Sequence, residues 1–75
     1  MGRLPLLSSR DVMMVLVRIG FVHDRTRGSH HVLVRADPPT TLVVPERREV
    51  PRGTLRSILR EAGVSEVEFL KLLDR

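Results

Sequence analysis

The stretch FVHDRTRGSHHVLVR, residues 21–35, decides the fold. Phe21 to Arg25 and His31 to Arg35 read as two short strands, with Arg27-Gly28-Ser29 as the turn between them. A second turn is predicted at Asp37-Pro38-Pro39. Thr40 to Val44, β-branched apart from Leu42, reads as a third strand. Three short strands joined by tight turns predict an antiparallel meander.

Upstream of the hairpin, Val12, Leu16 and Ile19 fall on one helical face, with Met13 and Val15 beside them. Ser8 and Asp11 have the spacing of a capping box, and Gly20 stands where a helix-ending glycine would. The spacing predicts a helix over roughly 9–19. Downstream, Pro45 ends the third strand and the charged loop Glu46-Arg47-Arg48-Glu49 follows. Pro51 suits the first turn of a second helix, whose Leu55, Ile58, Leu59 and Ala62 make one apolar face. Gly63 stops it. Ser65 and Glu68 form a second capping box, opening a short last helix through Val67, Phe69, Leu70 and Leu73. The expected fold is therefore α+β, a two-layer α-β-β-β-α domain with a three-stranded antiparallel sheet and a short extra C-terminal helix. Helices cover one sheet face, and the other needs polar residues or a partner.

At 75 residues the chain is expected to be one domain, 1–75. Such a domain buries only about 60% of its unfolded surface. There is no Cys, Trp or Tyr, so the core must rest on Val, Leu, Ile, Met and two Phe. Added stability from a partner chain is expected. The longest apolar run, Val12 to Val17, is far short of the ~20 residues of a membrane span. No signal-peptide pattern opens the sequence, and the reading is a cytoplasmic protein away from membranes.

The net charge of +4 is unevenly placed. Residues 1–60 carry eleven basic against five acidic residues, and 61–75 carry two against four. Lys71 is the only lysine. Arginine binds phosphate bidentately and stacks on bases, although a GC-rich genome would also favour arginine codons.

His30 is the candidate catalytic residue. It follows Gly28 and Ser29, where a turn would present it near the sheet rim. A histidine can move a proton near neutral pH without a metal. Arg25, Arg27 and Arg35 lie in the same hairpin as candidate phosphate ligands, and RNA supplies its own 2′-hydroxyl nucleophile. Read from local sequence alone, a solvated turn histidine is the competing account. His31 is expected on the opposite strand face from His30, as a surface or packing residue, and His23 as structural or solvent-facing. Adjacent strand histidines diverge and no zinc motif is present, so neither a metal nor another cofactor is expected. Arg52, Arg56 and Arg60 stand four apart as a basic stripe, which fits a solvated face, a phosphate-tracking surface or a dock for an acidic partner.

Four pieces together resemble the HicA family of toxin mRNA interferases: the helix ending in Ile19-Gly20-Phe21, then Arg27-Gly28-Ser29-His30-His31, then Val44-Pro45, then the run from Arg52 to Val64. The similarity extends from about Ser8 to Leu73. It implies a fold like the double-stranded RNA-binding domain and metal-free RNA cleavage with His30 as the catalytic residue. It also implies Gly28 as the turn residue that presents His30, and a HicB-like antitoxin that silences the toxin. Many relatives have a histidine two residues after the Val-Pro pair, where this chain has Arg47.

The leading expectation is the toxin of a type II toxin–antitoxin system, an endoribonuclease acting on mRNA. Arg25, Arg27, Gly28, Ser29, Arg47, Arg52, Arg56 and Arg60 are its candidate RNA-binding residues. The alternatives are a non-catalytic RNA-binding module and a docking protein for an acidic partner.

Overall fold

The computed structural model describes residues 4–73. Its elements run α1 (Ser9–Arg18), β1 (Val22–Arg27), β2 (His30–Ala36), β3 (Pro39–Pro45), α2 (Arg52–Ala62) and α3 (Glu66–Leu73). The sheet has the order β1-β2-β3, antiparallel throughout. This is the expected α+β order, with strands longer than expected at both turns. Arg27 and His30 pair across the hairpin, so the turn shrinks to Gly28-Ser29. Gly28 has φ +58°, a left-handed value that two-residue hairpin turns require. His30 is thus the first residue of β2 rather than part of the turn.

Each helix end has a local cause. The Ser8 hydroxyl accepts from the Asp11 N–H and the Asp11 carboxylate from the Ser8 N–H, completing the box at α1. Pro51 stands one residue before α2 as its N-cap, not inside its first turn. Gly63 ends α2 at φ +76°. At α3 the Ser65 hydroxyl accepts from the Glu68 N–H, one half of the expected box.

One sheet face packs on the helices. Leu33 and Leu42 pair across β2 and β3 and are fully buried, with Val44, Val12, Val15, Leu16, Leu55, Leu59 and Phe69. β3 alternates more cleanly than its composition suggests, with Leu42 and Val44 inward and Val43 half-exposed. Ile19 is only partly buried at the edge of this core. Leu4 and Leu7 are also buried, and Leu7 bridges Val50. This segment precedes every periodic element, so the sequence carried no signal for it.

Arg35 overturns one expectation. It lies on the helix-facing side, its guanidinium 4.4 Å above the Phe21 ring, donating to the Ala62 carbonyl at 3.1 Å and to the Thr40 hydroxyl at 3.2 Å. It ties α2 to the sheet, with its guanidinium engaged on the helix side and away from the face that carries Arg25 and Arg27.

Candidate functional site

Pairing decides which hairpin residues share a face. Arg27 faces His30 across the ladder, and Arg25 faces Val32. These four sit on the sheet face turned away from the helices, with Val34, Thr41 and Val43, and Val32 is only 6% exposed there. Thr26 faces His31 and His23 faces Leu33 on the helix side. Strict alternation would separate His23 from Thr26, three residues on. A bulge between His23 and Arg25 inserts one residue and restores both to one face.

That bulge assembles a cluster that composition and spacing did not reveal. The Thr26 hydroxyl lies 2.9 Å from His23 Nε2 and 3.0 Å from His31 Nδ1, and the two nitrogens are 3.4 Å apart. The rings tilt at 60° with centroids 5.5 Å apart. On its other side, His31 Nε2 meets Glu46 Oε1 at 2.5 Å. An ionised carboxylate only accepts, so Nε2 carries a hydrogen. In neutral His31 this leaves Nδ1 as an acceptor for the Thr26 O–H, and the Thr26 oxygen in turn accepts from His23 Nε2–H. The network therefore has one direction: His23 to Thr26 to His31, with Glu46 closing it.

Glu46 is placed by backbone on both sides. Its N–H donates to the Ser29 carbonyl at 2.7 Å, and the next residue, Arg47, is pinned to α1 because the Ser9 N–H donates to the Arg47 carbonyl at 3.0 Å. The hydrogen bond from His31 holds the Glu46 carboxyl below its ordinary 4.5, with His31 charge, Ser9 and Arg10 adding in the same sense against a smaller desolvation effect. The exposed carboxylate is thereby kept ionised.

A groove of about 700 Å³ opens over this cluster. Helix α1 supplies Arg10, Met13, Met14 and Val17 as one wall, and His23, His31 and Glu46 form the other. Met14 and Val17 are exposed although apolar. Among the described residues, no group of three or more His, Asp or Glu side chains is arranged to hold a metal ion.

The residues singled out by sequence divide in two. His30, Arg25, Arg27, Gly28, Ser29 and Arg47 gather at the hairpin end, where His30 is exposed on the face opposite the cluster. Arg25 pairs with its neighbour Asp24. Ser29 contributes its carbonyl. On α2, Arg52 donates to the Leu4 carbonyl, Arg56 pairs with Glu66 at 3.2 Å, and Arg60 is exposed. No hydrogen bond or ion pair joins these arginines to the hairpin among the described residues. His31, Glu46, Thr26 and His23 were the residues missed. The doubled histidine after Gly28-Ser29 was their only local signal.

A family model described as HicA toxin of bacterial toxin–antitoxin matches residues 9–64. That span contains every residue of the cluster and groove, and leaves out the buried Leu4 and Leu7. No curated protein matches the chain.

Proposed function

This chain belongs to the HicA toxin family of bacterial toxin–antitoxin systems, and we propose that it is a ribonuclease that cleaves mRNA by acid–base chemistry at a hairpin histidine, without a metal. Family membership carries an antitoxin partner, and the proposal extends it to a HicB-like one. The chain order α1-β1-β2-β3-α2 is the one that likeness to a double-stranded RNA-binding domain implies.

The observation that carries this reading is His31 at the groove wall, oriented by Glu46 on one nitrogen and open to a hydroxyl on the other. A catalytic base needs both. The ribose 2′-hydroxyl takes the place of the Thr26 hydroxyl at Nδ1 and gives up its proton there. Its oxygen then bonds to phosphorus as the bond to the 5′-oxygen breaks. Glu46 offsets the positive charge that forms on the ring. Arg10, in the same groove, and Arg47, beside Glu46, supply charge for the phosphate. The products carry a 2′,3′-cyclic phosphate and a 5′-hydroxyl.

A second reading keeps His30 as the acid–base residue, as the resemblance implies. It is favoured by the open face that His30 shares with Arg25 and Arg27, where a phosphate could sit without crossing the groove.

Inducible expression of wild type, His30→Ala and His31→Ala, following growth and total mRNA, tests both. Loss of toxicity in His31→Ala alone supports the groove, and loss in His30→Ala alone supports the open face. A soluble wild type that spares growth and mRNA sinks the ribonuclease reading and favours RNA binding without turnover or docking to an acidic partner. Fragments ending in 3′-hydroxyl and 5′-phosphate sink the 2′-hydroxyl route.

A further inference from the structure

Transfer of the 2′-oxygen to phosphorus needs two proton movements, one off the nucleophile and one onto the leaving 5′-oxygen. Resting on the ribonuclease reading with His31 as base, we propose that His23 is the general acid of the same reaction and that Thr26 returns the proton between them. The hydrogen-bond direction already separates the two roles. His31 Nδ1 is an acceptor because Glu46 fixes the hydrogen on Nε2, whereas His23 Nε2 is a donor toward Thr26.

In the reactive form His31 is neutral and His23 is an imidazolium. The 2′-proton passes to His31 Nδ1, the new bond forms between the 2′-oxygen and phosphorus, and the bond to the 5′-oxygen breaks. His23 Nε2 gives its proton to that oxygen, leaving a 5′-hydroxyl. The histidines have then exchanged protonation states. Once the product leaves Nδ1, the Thr26 hydroxyl returns to within 3.0 Å of both nitrogens, accepts from His31 Nδ1–H and donates to His23 Nε2, which restores the starting form. No proton is gained or lost.

Position supports the assignment. His23 is exposed, so its ring can follow the leaving group, and it borders the same groove as His31. The charged and titratable groups around that groove are Arg10 from α1, His31 from β2 and Glu46 from the loop after β3. Asp24, the residue after His23, is paired with Arg25.

The test compares two short RNAs that differ at the mapped cleavage position, one with the natural bridging 5′-oxygen and one with sulfur there. A thiolate leaves without a proton, so it needs no general acid. In His23→Gln, which keeps a hydrogen-bonding amide beside Thr26, single-turnover cleavage of the oxygen RNA should fall by about 10²-fold or more. Cleavage of the sulfur RNA should stay within about twofold of wild type, the leaving group having removed the step that a general acid assists. His31→Gln should slow both. The pH–rate profile of the oxygen RNA should lose its alkaline limb in His23→Gln. Equal losses on both RNAs, or none on either, overturn the role of His23 while the ribonuclease reading stands. A wild type that cleaves neither RNA nor cellular mRNA removes that reading, and the role of His23 with it.

Discussion

The Glu46 N–H donates to the Ser29 carbonyl at 2.7 Å, so the turn that closes the first hairpin also sets the carboxylate that orients His31. The turn therefore acts on the site through its backbone, and its conformation depends on Gly28 at φ +58°. A Cβ at Gly28 would meet no atom within 4 Å, so substitution there tests backbone conformation alone. Asn tolerates the left-handed region and β-branched residues do not. Gly28→Asn should retain near-wild-type cleavage and melting temperature. Gly28→Val should lose about 1–2 kcal/mol of stability and most of its cleavage. Equal behaviour of the two variants would detach the turn from the site.

Glu46 makes the pH prediction. Its carboxyl is held below 4.5 mainly by the His31 hydrogen bond. A depressed carboxyl contributes stability above its unfolded value and loses it as pH falls through the folded value. The contact is therefore intact at neutral pH and lost only below 4.5. Following the Glu46 side-chain carbon by NMR should give a midpoint under 4.5 in wild type, moving up toward 4.5 in His31→Ala. An unmoved midpoint would assign the depression to Arg10 and Ser9. Glu46→Gln, which keeps an acceptor but removes the charge, should slow cleavage by about 10- to 10²-fold.

The fold was legible in the sequence because its signals are local. Ser8 with Asp11, the apolar face of α2, the Gly28 turn and the Gly63 stop each fall within one element. The groove cluster was not, because it joins residues through tertiary register. His31 and Glu46 are fifteen apart and meet only when Pro45 pairs with His30. His23 and Thr26 share a face only through the bulge, which period-2 counting does not foresee. The period-2 rule puts His31 opposite His30, and that same geometry carries its ring to the groove.

Arg35 is predicted to be structural. Its guanidinium stacks on Phe21 and donates to the Ala62 carbonyl and the Thr40 hydroxyl. Charge-assisted bonds and a cation–π contact each contribute on the order of 1 kcal/mol. Arg35→Met removes all three and should lower the melting temperature by roughly 12–24 °C, taking ~1 kcal/mol as 4–8 °C in a domain of this size. The salt dependence of RNA binding should not change. A lowered salt slope at unchanged stability would return Arg35 to the phosphate ligands.

Leu7 extends the core beyond the span the family model matches. It is 1% exposed and its carbonyl accepts from the Val50 N–H at 2.7 Å. Leu7→Ala should cost about 2–5 kcal/mol, enough to unfold much of so small a domain at 37 °C. An antitoxin that binds only the folded toxin should restore folding by mass action. A melting temperature unchanged by saturating partner would count against the HicB-like pairing.

The arginine stripe on α2 divides by what each side chain already holds. Arg52 is half-buried and committed to the Leu4 carbonyl, Arg56 is in an exposed pair with Glu66, and Arg60 is exposed. An exposed pair is worth only about 0–1 kcal/mol, so RNA can recruit Arg56 at little cost, whereas releasing Arg52 loosens the first residues of the core. If the stripe tracks phosphate, Arg60→Ala should weaken RNA binding and lower the log–log salt slope by about one, with no change in melting temperature. Arg52→Ala should do the reverse. Measuring affinity between 50 and 200 mM salt (roughly the range over which counterion release dominates) decides it. A slope unmoved by Arg60→Ala and Arg56→Ala together would leave the stripe as solvated surface and concentrate phosphate binding at Arg10, Arg27 and Arg47.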